Sequence, residues 1–298
     1  MVTAAQTRAR EDGFSYLRAI ACIAIIVLHT VFSSSLLYQD SLTTVERVVS
    51  DAVANCMMWA VPCFVMVTGA LLLNPAKELR YQKLFGKYVF RIAVLLVVFC
   101  MVFRVFDIFM DHEPLTAGAF LQGFYELFTG TSWSHLWYLY LLIGLYLLMP
   151  FYRMVAKHSR EADLRYLLIV YVIFLSLLPL LEQWVDCGFY IHVSTIYPFY
   201  LFCGYWIHKR NPQMHTGIAW LLLLLSTALL VVLTAVRLQT GIAQLEALWG
   251  YSSILVIAQS AGFFALVTRC KGRGIVRRIL LQIDRCSLGI YLIHMIFV

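Results

Sequence analysis

Nine apolar runs, at about residues 14–37, 52–73, 86–110, 136–155, 164–181, 189–207, 217–236, 248–267 and 279–298, constrain this chain more than any other feature. Each approaches the roughly 20 residues that carry a helix across the hydrocarbon of a bilayer. In lipid a spanning segment must satisfy its own backbone hydrogen bonds, and a helix does so. Composition agrees: 62% of the 298 residues are hydrophobic and 13% are charged, against roughly 45–50% and 25% in soluble domains. The expected fold is all-α, a polytopic transmembrane helical bundle of about nine spans forming one domain over residues 1–298. The last run reaches Val298 without a polar flank, as expected of a chain truncated at its C-terminal end or lacking a tenth span. The first run carries Arg18 and His29 and is followed by no small-residue cleavage pattern, so it reads as a span and not as a signal peptide.

Charge gives the expected orientation. The formal net charge is +7, which in a soluble protein would raise nucleic acid as a partner; here the cations sort along the membrane and no nucleic-acid partner is expected. With the N-terminus in the cytoplasm, only Arg47, Arg104 and Arg237 of the 23 lysines and arginines fall on the outer side, as the positive-inside rule favours. The longest connections are Tyr38 to Asp51 and Asp111 to His135, and the second contains a candidate interfacial helix, Ala119 to Phe128. The eight cysteines, including Cys22, Cys63 and Cys187, lack metal-binding spacing and read as small packing residues. No metal site is expected.

Ionisable residues inside spans are costly and are functional candidates by default. Arg18 and His29 lie eleven residues apart, which returns them to nearly one helix face about 16 Å apart along the axis. Arginine at a cytoplasmic mouth suits phosphate, imidazole suits proton transfer near neutral pH, and the separation matches the reach of an extended pantetheine arm. The plain alternative makes Arg18 a boundary marker and His29 a helix-packing residue. Lys87 and Arg91 open the third run on the same expected side as Arg18. His29, His135 and His294 all fall in the outer half. Ser287, Tyr291 and His294, spaced i, i+4 and i+7, share a face. Trp133 and Trp137 also suit an interfacial aromatic belt. Gly69, among Val67 to Leu72, allows close helix approach, Pro62 is a candidate kink, and Arg104 with Asp107 reads as a local ion pair.

These residues resemble the acyltransferase-3 family of membrane O-acyltransferases. The resemblance rests on Leu17-Arg18-Ala19-Ile20-Ala21 through His29, on Val61-Pro62-Cys63-Phe64 with Thr68-Gly69-Ala70-Leu71-Leu72, and on Lys87 with Arg91. It continues through His135-Leu136-Trp137-Tyr138-Leu139 and Ser287-Leu288-Gly289-Ile290-Tyr291-Leu292-Ile293-His294. Size and the His-Leu-Trp segment are similar to bacterial sugar O-acetyltransferases of the enterobacterial-common-antigen type. The chain departs from the family pattern where Ser15 replaces an acid three residues before Arg18, Thr68 replaces a serine, and Lys87 is the first basic residue before Arg91. The missing acid puts any Asp–Arg pair at that mouth in question.

The resemblance implies transfer of an acetyl or other acyl group from acetyl-CoA or another acyl-CoA, with no tightly bound cofactor. The acceptor would be a hydroxyl of an extracytoplasmic glycan or lipid-linked sugar. It implies a multi-pass protein of the bacterial inner membrane, surrounded by lipid, with His29 catalytic and Arg18, Lys87 and Arg91 holding the donor. His135, Trp137, Tyr291 and His294 would serve the acceptor or a developing oxyanion. His29 is expected as general base or as acyl carrier. A transporter or flippase fits short loops and intramembrane polar residues equally well, and a non-catalytic sensor is a third reading.

Overall fold

The computed structural model describes residues 4–186, 195–210 and 215–298, with side chains from Asp12 onward. Among the described residues every regular element is helical: α1 (Ala4–Leu37), α2 (Thr44–Cys56), α3 (Ala60–Leu72), α4 (Tyr81–Met110), α5 (Ala117–Thr129), α6 (Trp137–Leu147), α7 (Met149–His158), α8 (Glu161–Leu181), α9 (Tyr197–Arg210), α10 (Thr216–Thr240), α11 (Ile254–Val267) and α12 (Gly274–Ile293). The helices form two compact units, residues Met1–Asn74 with His158–Val298, and Pro75–Lys157.

Helices occupy the described part of all nine apolar runs. Yet among the described residues only six are long and apolar enough to cross a membrane, or seven if the bent pair from Ser134 to His158 counts as one span. The expected nine is therefore not confirmed; helix length supports six or seven among the described residues. In the run 248–267, Ser253 caps the helix by accepting from the Leu255 N–H at 3.1 Å, so α11 has only 14 residues. The run 136–155 bends by 53° between α6 and α7, where Pro150 cannot donate to the carbonyl four residues back. The run 189–207 lies partly outside the described residues, as does Cys187. Pro62 acts likewise: it stands in the first turn of α3, and the break at Met57–Trp59 contains the carbonyl its ring displaces. Several helices thus have the length and hydropathy of a multi-pass membrane protein.

The smaller unit packs α5 on α4, where Gly123 lets α5 approach the Met101 and Arg104 side chains. The expected helix at Ala119 to Phe128 is present, capped by Thr116 and stopped at Gly130 in the left-handed region (φ +70). The expected local ion pair of Arg104 with Asp107 does not form; each finds another partner. Arg104 reaches Glu113 at 3.1 Å and the Ala119 carbonyl, while the Asp107 carboxylate accepts the Trp133 Nε1–H at 3.0 Å. Trp133 also stacks on Phe103, centroids 4.3 Å apart. Half-buried, it ties α4 to the segment that enters α6.

In the larger unit α3 and α9 cross antiparallel at backbone contact. A Cβ on Gly69 would stand 2.0 Å from the Leu201 carbonyl oxygen, and one on Gly204 2.1 Å from that of Met66. The small-residue expectation at Gly69 is met, with its partner Gly204 supplied by α9. A buried polar group ties α2, α10 and α11: Asn55 donates to Thr234 at 3.0 Å, and Gln259 donates to Thr227 and to the Cys56 carbonyl.

Candidate functional site

The α1–α12 seam is built from polar rungs. Asp12 meets Arg277 at 2.9 Å, Arg18 meets Asp284, the Cys22 thiol donates to the Ser287 carbonyl at 3.8 Å, and the His29 and His294 rings lie 5.1 Å apart. Residue numbers rise together at a nearly constant offset, so the two helices run parallel. Along both, the contacting positions recur at three- and four-residue steps or their sums, the spacing of a parallel helix pair that meets along one stripe.

Arg18 is held in a two-bond fork, Nε to Asp284 Oδ1 at 2.6 Å and Nη2 to Oδ2 at 2.8 Å, with Ser15 Oγ 3.4 Å from Nη2. Such bidentate pairing fixes the plane of the guanidinium as well as its charge. Motif reading finds the acid missing at Ser15 and passes over Asp284. A signal for it exists: Asp284 is an acid inside the last apolar run, three residues before Ser287.

His294 is 5% exposed, and its Nδ1 lies 2.7 Å from the Tyr291 carbonyl. A carbonyl only accepts, so this contact favours the tautomer with the proton on Nδ1 and leaves Nε2 as the basic nitrogen of a neutral ring. The turn that allows it is the change from α-helix to a 3-10 turn at His294–Ile296. The Tyr291 ring stands 6.0 Å from that of His294. His29 is half-buried on α1, and the seam brings it together with His294, in keeping with their shared depth in the sequence.

Two ends of the larger unit differ in charge. At the N-terminal end of α1, Gly13 packs on the Thr268 carbonyl and the Phe14 ring lies 5.0 Å from that of His208. Arg210 pairs with Glu161, and Arg269 donates to Thr216. This end gathers Lys209, Arg210, Arg269, Lys271, Arg273 and Arg277. At the opposite end, Ser35 donates to Asp51 at 3.3 Å and Asn55 joins Thr234 near the last turns of α10. His29 and His294 lie toward this second end.

Lys87, Arg91, His135 and Trp137 belong to the smaller unit. Lys87 lies in a π-helical turn, Leu84–Val89, at the start of α4, and it and Arg91 are exposed. His135 is 2% exposed, its ring edge-on to Phe103 at 5.1 Å, while Trp137 is surface-facing.

A family model described as an acyltransferase domain, Acyl_transf_3, matches residues 11–298. The chain belongs to the acyltransferase-3 family. No curated protein and no solved structure matches it. Membership in this acyltransferase family selects the enzyme reading over the transporter that short loops alone would also allow. The match spans both compact units and every residue of the α1–α12 seam described above.

Proposed function

We propose that this acyltransferase moves an acetyl or other acyl group from acyl-CoA to a hydroxyl of a glycan or lipid-linked sugar on the outer side of a bacterial inner membrane, with its N-terminus in the cytoplasm. The observation that carries this reading is the His29–His294 pair, 5.1 Å between rings, on a seam whose other end is rich in cations. Two imidazoles side by side in an apolar bundle have the chemistry for proton transfer.

Acyl-CoA would approach from the basic end. Arg18, oriented by Asp284, meets its phosphates, and Lys87 and Arg91 are proposed as donor contacts by their place in the family motif alone. From Arg18 to His29 is roughly 16 Å along α1, a length an extended pantetheine can cover. His29 takes the proton of the acceptor hydroxyl as its oxygen attacks the thioester carbon. The C–O bond forms, the C–S bond breaks, and the thiolate leaving group recovers the proton. The alternative in which His29 first accepts the acyl group uses the same residues in two steps. His294, its tautomer set by Tyr291, orients His29 or the acceptor. His135 and Trp137 are proposed on the acceptor side, by their place in the family motif.

Membranes carrying wild type, His29→Ala or no protein are incubated with radiolabelled acetyl-CoA and extracted for glycolipid. Label that depends on His29 supports the proposal. Equal labelling by a folded His29→Ala variant would remove His29 from the mechanism.

A further inference from the structure

The end of the larger unit that holds His29 and His294 also holds a cavity of about 150 Å3. Its walls come from the last turns of α8, with Ser176 and Leu180, from Gln183 just after it, and from the segment entering α11, with Gly250, Ser252 and Ser253. That segment is fixed from below, since the buried Tyr200 on α9 donates to the Tyr251 carbonyl at 2.6 Å. Ser253 is committed to the wall, donating to the Leu248 carbonyl and capping α11.

Ser176 is different. It is 5% exposed, and its Oγ has no hydrogen-bond partner among the described residues, although buried hydroxyls are nearly always satisfied. It sits in a second π-helical turn, Ile173–Leu177, a local widening that recurs at functional sites. Gln183 spends its Nε2 on the Pro179 carbonyl, which leaves its amide oxygen to accept from a ligand hydroxyl. The lining residues carry hydroxyls, an amide and aliphatic surface, with no charged side chain. That chemistry suits neither phosphate nor carboxylate. It suits a neutral ring that has hydroxyls at its edge and C–H groups on its faces. At about 150 Å3 the cavity has room for no more than a single ring, and not for an oligosaccharide.

We infer that this cavity is a subsite for one neutral sugar ring of the acceptor, engaged by Ser176 and Gln183 at the same end of the unit as the histidine pair. The inference rests on the acyl-transfer reading for the word acceptor, while the sugar site itself stands on the cavity.

The test is saturation-transfer NMR on the full chain in nanodiscs. Methyl glucoside and methyl N-acetylglucosaminide serve as probes, with inositol phosphate as the charged control. Wild type and His29→Ala should both give signal with one of the neutral sugars and none with the phosphate. Ser176→Val, which replaces the hydroxyl by two methyl groups, should weaken binding at least about tenfold, the scale of one lost polar contact. Leu180→Trp, which fills the space, should abolish it. Thermal unfolding like that of wild type confirms that each variant is folded. Equal sugar signal from Ser176→Val and Leu180→Trp, or no signal from folded wild type, overturns the subsite. Sugar binding without acyl transfer would instead sink the catalytic reading and leave the subsite standing. Acyl transfer with an unchanged acceptor KM in Ser176→Val would do the reverse.

Discussion

Asp284 on α12 grips Arg18 on α1 through both carboxylate oxygens, at 2.6 and 2.8 Å, and so supplies from the far end of the chain the acid that Ser15 does not provide locally. The pair is partly buried, its side chains 29% and 12% exposed. Removing one partner of a fully buried pair costs roughly 3–5 kcal/mol, and partial solvation of Arg18 brings this to about 1–3 kcal/mol. Asp284→Ala should lower the thermal unfolding temperature and raise the acyl-CoA KM, because Arg18 loses its fixed plane. Adding Ser15→Asp, one turn before Arg18, should restore part of both. If Asp284→Ala matches wild type in both measurements, the fork neither stabilises the seam nor prepares Arg18.

The crossing of α3 and α9 tolerates no side chain at Gly69 or Gly204, because the atoms a methyl would meet are backbone carbonyls, which cannot swing aside. Gly69→Ala and Gly204→Ala should each destabilise by about 3 kcal/mol or more, in the range of severe overpacking. Gly289, in a family motif on α12, has open space where a methyl would go, with nothing within 4 Å. Gly289→Ala should be neutral or stabilising by about 0.5–1 kcal/mol, from helix propensity. Thermal melts of the three in detergent decide the matter, and equal melting temperatures would refute the close crossing.

A parallel seam puts the C-terminal ends of α1 and α12 on one side of the membrane. A cysteine introduced as Asp40→Cys should therefore react with an impermeant maleimide from the side opposite the exposed native Cys270, with peptide mass spectrometry as the readout. Given cytoplasmic placement of the basic end, intact cells should label position 40 and spare Cys270. Labelling of both from one side would contradict the two-ended arrangement of the larger unit.

His29 and His294 are expected to differ in degree. His29→Ala should lower kcat by about 10²–10⁴, the contribution of a positioned general base, with acyl-CoA binding retained. His294→Ala should cost about tenfold if it orients and does not itself take the proton. Lys87→Ala and Arg91→Ala should raise the donor KM with kcat little changed, since phosphate contacts far from the reacting carbon bind ground and transition states alike. Single-turnover rates at saturating donor separate these cases. A wild-type rate in His294→Ala would remove it from the site.

Hydropathy and local motifs alone establish the membrane class, the helical fold, the family and the candidacy of His29, His294 and Gly69. These are one-dimensional signals, and lipid leaves the backbone few alternatives. The helix start at Thr116 is legible in the same way, because its cap joins a side chain and a backbone group within three residues. Partners far apart in the chain emerge only from the packed helices: Asp284 for Arg18, Gly204 opposite Gly69, Trp133 on Asp107, and Ser176 at the wall of a cavity. The same distinction explains why, among the described residues, the apolar runs yield six or seven spanning lengths. Hydropathy averages over a window and does not see the Ser253 cap or the bend at Pro150, whereas hydrogen-bond geometry ends a helix at a single residue.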